Sequence, residues 1–347
     1  MTDPGRILIV KLSSIGDVVQ SLPVAAALRH RFPKSYIAWA VGPAAVGVLT
    51  ANPHLSDILV VGGARVTEAG VKSVPPLSAP VQLRRALHAI HFDVSLDLQG
   101  LLKSAAVAYL SGARERIGFR SSREPTFLLN NRRIVPDRRH VHAVESYLDF
   151  AEAMGAARAP VEFTIAVSDD DRRVVDRLLD GRDRLAALIP GARWESKLWL
   201  TNRFAIVADA LAEGFGLTSV VVGAPGDGGL AREIAATAHA SVLDLTGKTT
   251  LKQVAEVFRR CRVTIGNDTG PLYISAAMGT PTVAVFGPTD SRRLGPYGDG
   301  HAKIIAEIEC APCRNRRCTP RRCMEMIEPG RVIAAARELL TAPRVGV

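Results

Sequence analysis

The stretch of residues 262–290 contains residue types whose spacing suits phosphate binding. Residues 263–265 form a short β-branched run that predicts a buried strand, and the Gly-Asn-Asp turn after it predicts the start of a helix. The N-terminus of that helix, residues 269–272, would offer backbone N–H groups and the positive end of the helix dipole to a phosphate. An ordinary crossover helix capped by Asp268 explains the same pattern without a ligand, so both interpretations stay open.

Six positions share another feature, which is that each follows a predicted strand. Ligands of open parallel sheets bind at the carboxyl ends of the strands, so these residues are expected to line one cleft. The turn that contains Asp17 has no second Asp or His, which argues against a metal-dependent site there, and Asp17 also fits a helix cap. No Walker A motif is present and no GxGxxG follows a strand, so a nicotinamide dehydrogenase has little support. The six positions are Asp17, Gln99, Gly191, Lys197, Gly223 and Asp268.

Short apolar runs alternate with helical patterns in both halves of the chain, which predicts an α/β protein of two doubly wound domains with parallel sheets. Linker composition near residue 160 divides the chain into residues 1–160 and 161–347, and the two sheets are expected to face each other across a cleft. The predicted strands are residues 6–12, 37–41, 58–61, 92–98, 185–189, 219–222, 263–265 and 282–286. The predicted helices are residues 17–31, 81–91, 101–110, 144–154, 169–179, 202–215, 230–238 and 251–261, and Pro23 is expected to kink the first or delay its start.

The composition is that of a folded globular protein, with 47% hydrophobic and 22% charged residues in a chain of 347. No apolar run approaches the roughly 20 residues of a membrane span, and residues 7–10 are too short for a signal-peptide core, so a cytoplasmic location is expected. The formal net charge is +10, and residues 114–139 contain eight arginines against three acids. This region favours anionic partners, although solvated surface arginines explain it equally.

Four of the five cysteines form a C-x2-C-x4-C-x4-C pattern near the end of the chain. In a cytosolic protein such a cluster indicates a metal clip more readily than disulfides. A structural zinc or iron held by four thiolates is one hypothesis, and reduced thiols in a loop are the alternative. The interleaved arginines could meet membrane phosphates or a nucleotide donor. The cysteines are Cys310, Cys313, Cys318 and Cys323, and the arginines are Arg314, Arg316, Arg317, Arg321 and Arg322.

Seven motifs, spread in family order over nearly the whole chain, resemble those of the ADP-heptose:lipopolysaccharide heptosyltransferases of glycosyltransferase family 9. They are KLSSIGD (11–17), DLQGLLKS (97–104), GFRSSREP (118–125), PGARWESKLW (190–199), NDTGPLYISAAMGTPTVAVFGPTD (267–290), GPYG (295–298) and the C-P-C pattern around Cys310. The resemblance implies the GT-B architecture, with an N-terminal acceptor domain, a C-terminal nucleotide-sugar domain and a last helix that can pack back on the first domain. It also implies inverting, metal-independent transfer of heptose from ADP-heptose to a Kdo or heptose of the lipopolysaccharide inner core, at the inner face of the cytoplasmic membrane.

The resemblance gives each candidate residue a role. Asp17 matches the general base that deprotonates the acceptor hydroxyl, and Lys197 matches the lysine that neutralises the leaving diphosphate. The other implied donor-binding residues are Asp268 for a hydroxyl, Asp227 for the ribose, Gly191 and Gly223, and the backbone of Thr269, Gly270, Pro271 and Leu272. The implied acceptor-binding residues are Ser14, Gly16, Gln99, Lys103, Arg120 and Arg123.

The chain departs from the family at Tyr273, where a histidine is frequent, so the sugar or the nucleotide can differ. The KLSSIGD start favours the first-heptose enzyme, whereas the NDTGPL and C-P-C patterns favour the second-heptose enzyme or a broader branch. A GT-B or epimerase-like protein with another nucleotide sugar is one alternative. A basic nucleic-acid-binding protein with a four-cysteine zinc module is another, but the chain lacks the interleaved aromatic residues of single-strand binders, so no nucleic-acid partner is expected. The sequence does not indicate an oligomeric state.

Overall fold

The computed structural model describes residues 3–63, 68–137 and 141–342. It divides into two compact units, Met1–Ala166 and Val167–Val347. Arg138 and Arg139 of the predicted basic region lie outside the described residues.

The first unit is a parallel sheet with helices connecting its strands. Its strands are Arg6–Val10 (β1), Tyr36–Val41 (β2), Asp57–Val61 (β3), Val71–Val74 (β4), Val94–Asp97 (β5), Glu115–Phe119 (β6) and Arg132–Ile134 (β7). Its α-helices are Ile15–Arg31 (α1), Pro80–His88 (α2), Leu102–Leu110 (α3) and Ala143–Ala153 (α4). The strand order is β4-β3-β2-β1-β5-β6-β7. All residues of β1 after the first are fully buried, as expected for a central parallel strand that is covered on both faces.

The second unit repeats this plan. Its strands are Leu185–Ile189 (β8), Thr218–Val221 (β9), Val242–Asp244 (β10), Cys261–Asn267 (β11), Thr282–Phe286 (β12) and His301–Ile305 (β13). Its α-helices are Asp169–Leu179 (α5), Thr201–Phe215 (α6), Gly228–Thr237 (α7), Leu251–Arg260 (α8), Gly270–Ala277 (α9), Ser291–Leu294 (α10), Arg322–Glu325 (α11) and Pro329–Thr341 (α12). The strand order is β10-β9-β8-β11-β12-β13. The last helix, α12, packs on α6 and on β11, β12 and β13 of the same unit.

Each sheet has one switch point, where the order of its strands along the chain reverses. In the first unit β1 pairs with both β2 and β5, and in the second unit β8 pairs with both β9 and β11. The loops after β1 and β5 therefore leave the sheet side by side, as do the loops after β8 and β11. Such points are where doubly wound sheets bind their ligands.

The predicted α/β class with two parallel sheets is confirmed, but five strands were not predicted: β4, β6, β7, β10 and β13. Four of these five are the edge strands of the two sheets. An edge strand has one neighbour and an exposed side, so it tolerates polar residues that hide its pattern, as in the Arg-Arg-Ile of β7. The start predicted for the first helix was also wrong, because α1 begins at Ile15 and continues through Pro23.

Candidate functional site

Asp17 lies in the first turn of α1, and the loop between β1 and α1 donates hydrogen bonds to one oxygen of its carboxylate. Ser14 has an extended backbone and precedes the helix, so Asp17 is the third helical residue and not the cap. The Oδ2 atom of Asp17 accepts hydrogen bonds from the Ser14 backbone N (3.1 Å) and the Ser14 Oγ (2.6 Å). Its side chain is 36% exposed. The carboxylate is thus fixed in orientation while a hydroxyl can still reach it.

Lys11 and Tyr147 approach the other carboxylate oxygen of Asp17. The buried Lys11 Nζ donates to the Tyr147 Oη (2.7 Å) and to the Leu98 carbonyl (3.1 Å), and it lies 3.9 Å from the Asp17 Oδ1. The Tyr147 Oη lies 3.4 Å from the same Oδ1. Burial acts to raise the pKa of Asp17, but the Lys11 charge and the hydrogen bonds from Ser14 and Tyr147 outweigh it and hold the pKa below its usual value. Asp17 is therefore ionised near neutral pH, as a general base must be.

No role was predicted for Lys11 or Tyr147 from the sequence. Lys11 directly follows the apolar strand β1, and its side chain is buried, which is unusual for lysine unless it is paired. A lysine directly after an apolar strand was the signal in the sequence that could have identified Lys11 as a functional residue. Tyr147 lies on α4, which contacts α1. The sequence carried no sign of that contact.

Four of the predicted acceptor residues lie around the same loop. The Gln99 Oε1 accepts hydrogen bonds from the backbone N of Leu12 (2.8 Å) and of Ser13 (3.3 Å). The Lys103 Nζ donates to the Ser13 Oγ (3.3 Å). Ser14 bonds to Asp17 as described above, and the buried Gly16 lies in the first turn of α1. Gln99 and Lys103 thus join the ends of β1 and β5 at the switch point.

Arg120 and Arg123, the other two predicted acceptor residues, lie in a different loop. Both are exposed, and among the residues that the structure describes neither guanidinium has a hydrogen bond or ion pair. Their loop nevertheless approaches the same switch point, because a Cβ built on Gly100 would lie 3.6 Å from the Cβ of Ser122. They remain predicted acceptor contacts.

In the second unit, Lys197 and Asp268 form an ion pair at the switch point. The Lys197 Nζ lies 2.6 Å from the Asp268 Oδ2, and the hydroxyl of Thr289 donates to the same oxygen at 2.6 Å. The Tyr273 hydroxyl donates to the Asp268 Oδ1. Asp268 is only 4% exposed, so it holds Lys197 in position, and its predicted contact with a donor hydroxyl remains a prediction.

The backbone at the start of α9 offers fewer donors than the sequence suggested. Thr269 precedes the helix, so Asp268 is not its cap. Pro271 has no N–H, and the Leu272 N–H is bonded to the Thr269 carbonyl (3.1 Å). Within the part of the chain that the structure describes, the N–H groups of Thr269 and Gly270 make no such bond. These two groups are therefore the ones left for an anion.

Asp227 lies against the two predicted glycines. A Cβ on Gly191 would come within 2.5 Å of the Asp227 carboxylate, and a Cβ on Gly223 within 2.7 Å. The carboxylate also accepts a hydrogen bond from the Ala224 backbone N (2.8 Å). The loops after β8 and β9 therefore form one wall around Asp227, and the missing side chains of the glycines make room for it.

Replacing Gly191 with alanine is expected to destabilise this wall. The new methyl would overlap the Asp227 carboxylate, and such crowding costs about 1–3 kcal/mol. Gly226→Ala is the matched control, because a Cβ there meets no atom within 4 Å. Urea denaturation gives the free energies of unfolding. Equal stability of the Gly191→Ala and wild-type proteins would contradict the prediction, and the further change Asp227→Ala should restore stability if the carboxylate is the obstacle.

The four clustered cysteines lie near one another, but in the described part of the chain they are not arranged as a four-thiolate metal site. Cys310 and Cys313 are exposed, whereas Cys323 is buried and lies against Gly287. The Cys318 Sγ faces the Pro320 carbonyl (3.6 Å). Residues 3–63, 68–137 and 141–342 contain no group of three or more His, Cys, Asp or Glu side chains placed to hold a metal ion. The hypothesis of a structural zinc or iron therefore has no support from this geometry, although the thiols are neighbours, since burial and the nearby Cys313, Cys310 and Cys318 thiols together raise the pKa of Cys323.

No helix in the described part of the chain combines the length and apolar character that a membrane span requires.

Among known protein families, the model for glycosyltransferase family 9 (heptosyltransferase) matches residues 81–323 of this chain. The chain is 27% identical over 300 residues to a lipopolysaccharide core heptosyltransferase of Haemophilus influenzae, covering 85% of this chain and 83% of that protein. A solved family 9 glycosyltransferase of Veillonella parvula superposes with a TM-score of 0.80 at 22% identity, covering 97% of both chains. The ADP-heptose lipopolysaccharide heptosyltransferase II of E. coli gives a TM-score of 0.77 at 22% identity, covering 96% of this chain and 98% of that one. These matches confirm the GT-B fold and do not favour the epimerase-like or nucleic-acid alternatives.

Proposed function

We propose a specific reaction for this chain, which belongs to glycosyltransferase family 9, the heptosyltransferases. The reaction is transfer of L-glycero-D-manno-heptose from ADP-heptose to the Kdo or heptose inner core of lipopolysaccharide. The family match makes it a glycosyltransferase. The curated relative from H. influenzae is named for the lipopolysaccharide core, and the E. coli structure is named for ADP-heptose. Transfer proceeds with inversion at the anomeric carbon and needs no metal ion.

One observation carries the proposal, which is the position of Lys197 beside the start of α9. Its Nζ lies 3.3 Å from the Asp268 carbonyl, one residue before the free N–H groups of Thr269 and Gly270. A lysine charge and two backbone donors at one switch point match the needs of a leaving diphosphate. The ribose of the donor would lie at the Asp227 wall, between the loops after β8 and β9.

In the first unit the proposed acceptor hydroxyl contacts the Asp17 Oδ1, the oxygen with the longer contacts. Asp17 removes the proton as the hydroxyl oxygen attacks the anomeric carbon, and ADP leaves with the electrons of the broken bond. Gln99 and Lys103, with Arg120 and Arg123, bind the carboxylates and phosphates of the acceptor. The acceptor sugar is either Kdo, for addition of the first heptose, or a heptose, for addition of the second.

The direct test incubates the full-length protein with ADP-heptose and Kdo-lipid A, with and without EDTA. Mass spectrometry is expected to show addition of one heptose, and NMR to show the inverted anomer. A parallel incubation with heptosylated lipid A distinguishes the two acceptor positions. Transfer from UDP-sugars but not from ADP-heptose would contradict the proposed donor, and loss of transfer in EDTA would contradict a metal-independent reaction.

Lys11→Met is expected to move the acid limb of the pH profile to higher pH. Asp17 must be ionised to act as the base, and without the Lys11 charge its pKa rises, so protonation inactivates the enzyme at a higher pH. The loss in kcat/KM on the acid side is on the order of tenfold, as expected for a charged hydrogen-bond network. Lys34→Met, which removes an exposed lysine of the same unit, is the control. An unchanged acid limb would mean that Lys11 does not tune Asp17.

Peripheral association with the inner face of the cytoplasmic membrane is part of the proposal. Arg114, Arg120, Arg123 and Arg133 are exposed in the basic region and can contact anionic headgroups. Binding to phosphatidylglycerol vesicles is expected to fall severalfold between roughly 0.05 and 0.5 M salt, with phosphatidylcholine vesicles as the control. Salt-insensitive binding would instead indicate apolar insertion, for which the structure offers the exposed pair of residues 127–128.

A further inference from the structure

The segment of residues 310–322, here called the cysteine–arginine loop, packs on the proposed donor site. The backbone N of Arg314 donates to the Pro288 carbonyl (2.7 Å), next to the Thr289 that bonds Asp268. The guanidinium of Arg321 donates to the carbonyls of Glu195 (3.0 Å) and Leu198 (3.4 Å), on both sides of Lys197 in sequence. The loop is therefore tied to both segments that position the Lys197–Asp268 pair.

The Trp194 ring, which contacts Lys197, also contacts a second cation, Arg316. The Lys197 Nζ lies 4.5 Å from the centroid of the indole ring, and the Arg316 guanidinium carbon lies 4.8 Å from the same centroid. Contact of a cation with an aromatic face is favourable, and arginine and tryptophan make it best. Trp194 is therefore a common contact of the two cations.

The charges around this ring do not balance. Lys197 is paired with Asp268, whose carboxylate also accepts from Thr289 and Tyr273. Arg316 is exposed and has no carboxylate partner among the residues that the structure describes. Two cations near one ring repel each other, and an anion between or beside them removes that cost.

We propose that Arg316 is a second cationic ligand of the donor diphosphate, presented by the cysteine–arginine loop. The inference rests on the proposed function, since it takes the nucleoside diphosphate of that proposal as the anion. Lys197 then binds the diphosphate from the loop after β8, and Arg316 binds it from the C-terminal loop through its planar, multidentate guanidinium. Trp194 holds both side chains in position. Of the two roles that the sequence suggested for the arginines of this loop, contact with membrane phosphates or with a nucleotide donor, the second is then the role of Arg316.

The experiment measures ADP binding by calorimetry, and by tryptophan fluorescence, in the full-length wild-type, Arg316→Ala and Arg317→Ala proteins. Arg317 is the matched control, because it is the neighbouring exposed arginine without a ring contact. Arg316→Ala is expected to raise the Kd for ADP about tenfold, the effect of losing one charge-assisted contact, while Arg317→Ala changes it less than about twofold. Arg316→Lys should recover part of the affinity, and the effect on AMP should be smaller because AMP lacks the second phosphate.

Three outcomes would overturn the inference. An unchanged ADP affinity in Arg316→Ala would remove Arg316 from the site. Equal weakening by Arg316→Ala and Arg317→Ala would show only the general attraction of a basic loop. If the wild-type protein bound no ADP, the proposed donor would fail together with the inference, which separates that case from a failure of Arg316 alone. Because Arg316 is exposed, unchanged thermal unfolding serves to show that the variants fold.

Discussion

Replacing Asp17 with asparagine is expected to reduce heptose transfer by about 10²–10⁴-fold while leaving the affinity for ADP unchanged. The substitution removes the proton acceptor and almost no volume. The amide oxygen of the new side chain can still accept a hydrogen bond from the Ser14 backbone, so the start of α1 should persist. ADP binds in the second unit under the proposal, and its Kd should therefore stay within about twofold of the wild-type value. Single-turnover transfer assays and calorimetry with ADP make the two measurements.

The control for Asp17 is Asp57→Asn in the same unit. Asp57 also pairs with a lysine, Lys72, and with Tyr36, but it lies at the start of β3, away from the carboxyl ends of the strands. If loss of any paired carboxylate impaired the protein, both variants would be inactive. Transfer by the Asp17→Asn protein at a tenth of the wild-type rate or more would assign the base to another group. Loss of ADP affinity would show that Asp17 is not confined to the acceptor side.

Lys197→Ala is expected to lower kcat/KM by about 10²–10³-fold, because the charge that stabilises the leaving diphosphate is lost. Both kcat and the affinity for donor should decrease, since the lysine contacts the phosphates in the bound donor as well as during bond breaking. The variant also leaves the buried Asp268 carboxylate without its cation, although Thr289 and Tyr273 still donate to it. A loss of about 1–3 kcal/mol in the free energy of unfolding should accompany the kinetic defect.

Stability and catalysis can be separated at this position. Kinetics are measured well below the unfolding midpoint of the variant, so that the protein remains folded. Lys248→Ala is the control, because Lys248 is an exposed lysine of the same unit whose Nζ bonds only to the Asp244 carbonyl among the described contacts. Wild-type kinetics in Lys197→Ala would mean that another cation, with Arg316 the first candidate, serves the diphosphate alone. A stability loss without a kinetic defect would make Lys197 structural.

The local pattern of the sequence was sufficient to predict the central strands and helices of both units. The helix α5 and the strands β8 and β12 have the predicted bounds, because a capping Ser168 and uninterrupted apolar runs mark them clearly. The edge strands β4, β7, β10 and β13 were missed, since a strand with one neighbour need not be apolar. The start of α1 was placed two residues late, because Ser14 and Asp17 both resemble caps and only the backbone distinguishes them.

The sequence by itself determined the order of alternating strands and helices, the family motifs, and the polar residues that follow the central strands. These are local properties, since a residue type at the end of an apolar run can be recognised without knowing its neighbours in space. Only the tertiary structure decided which of them meet. Lys11 reaches Tyr147 of α4, and Trp194 meets Arg316 of the C-terminal loop, across more than a hundred residues in each case. Such contacts depend on the order of strands in the sheet and on how the loops pack over it, because those determine which distant segments become adjacent.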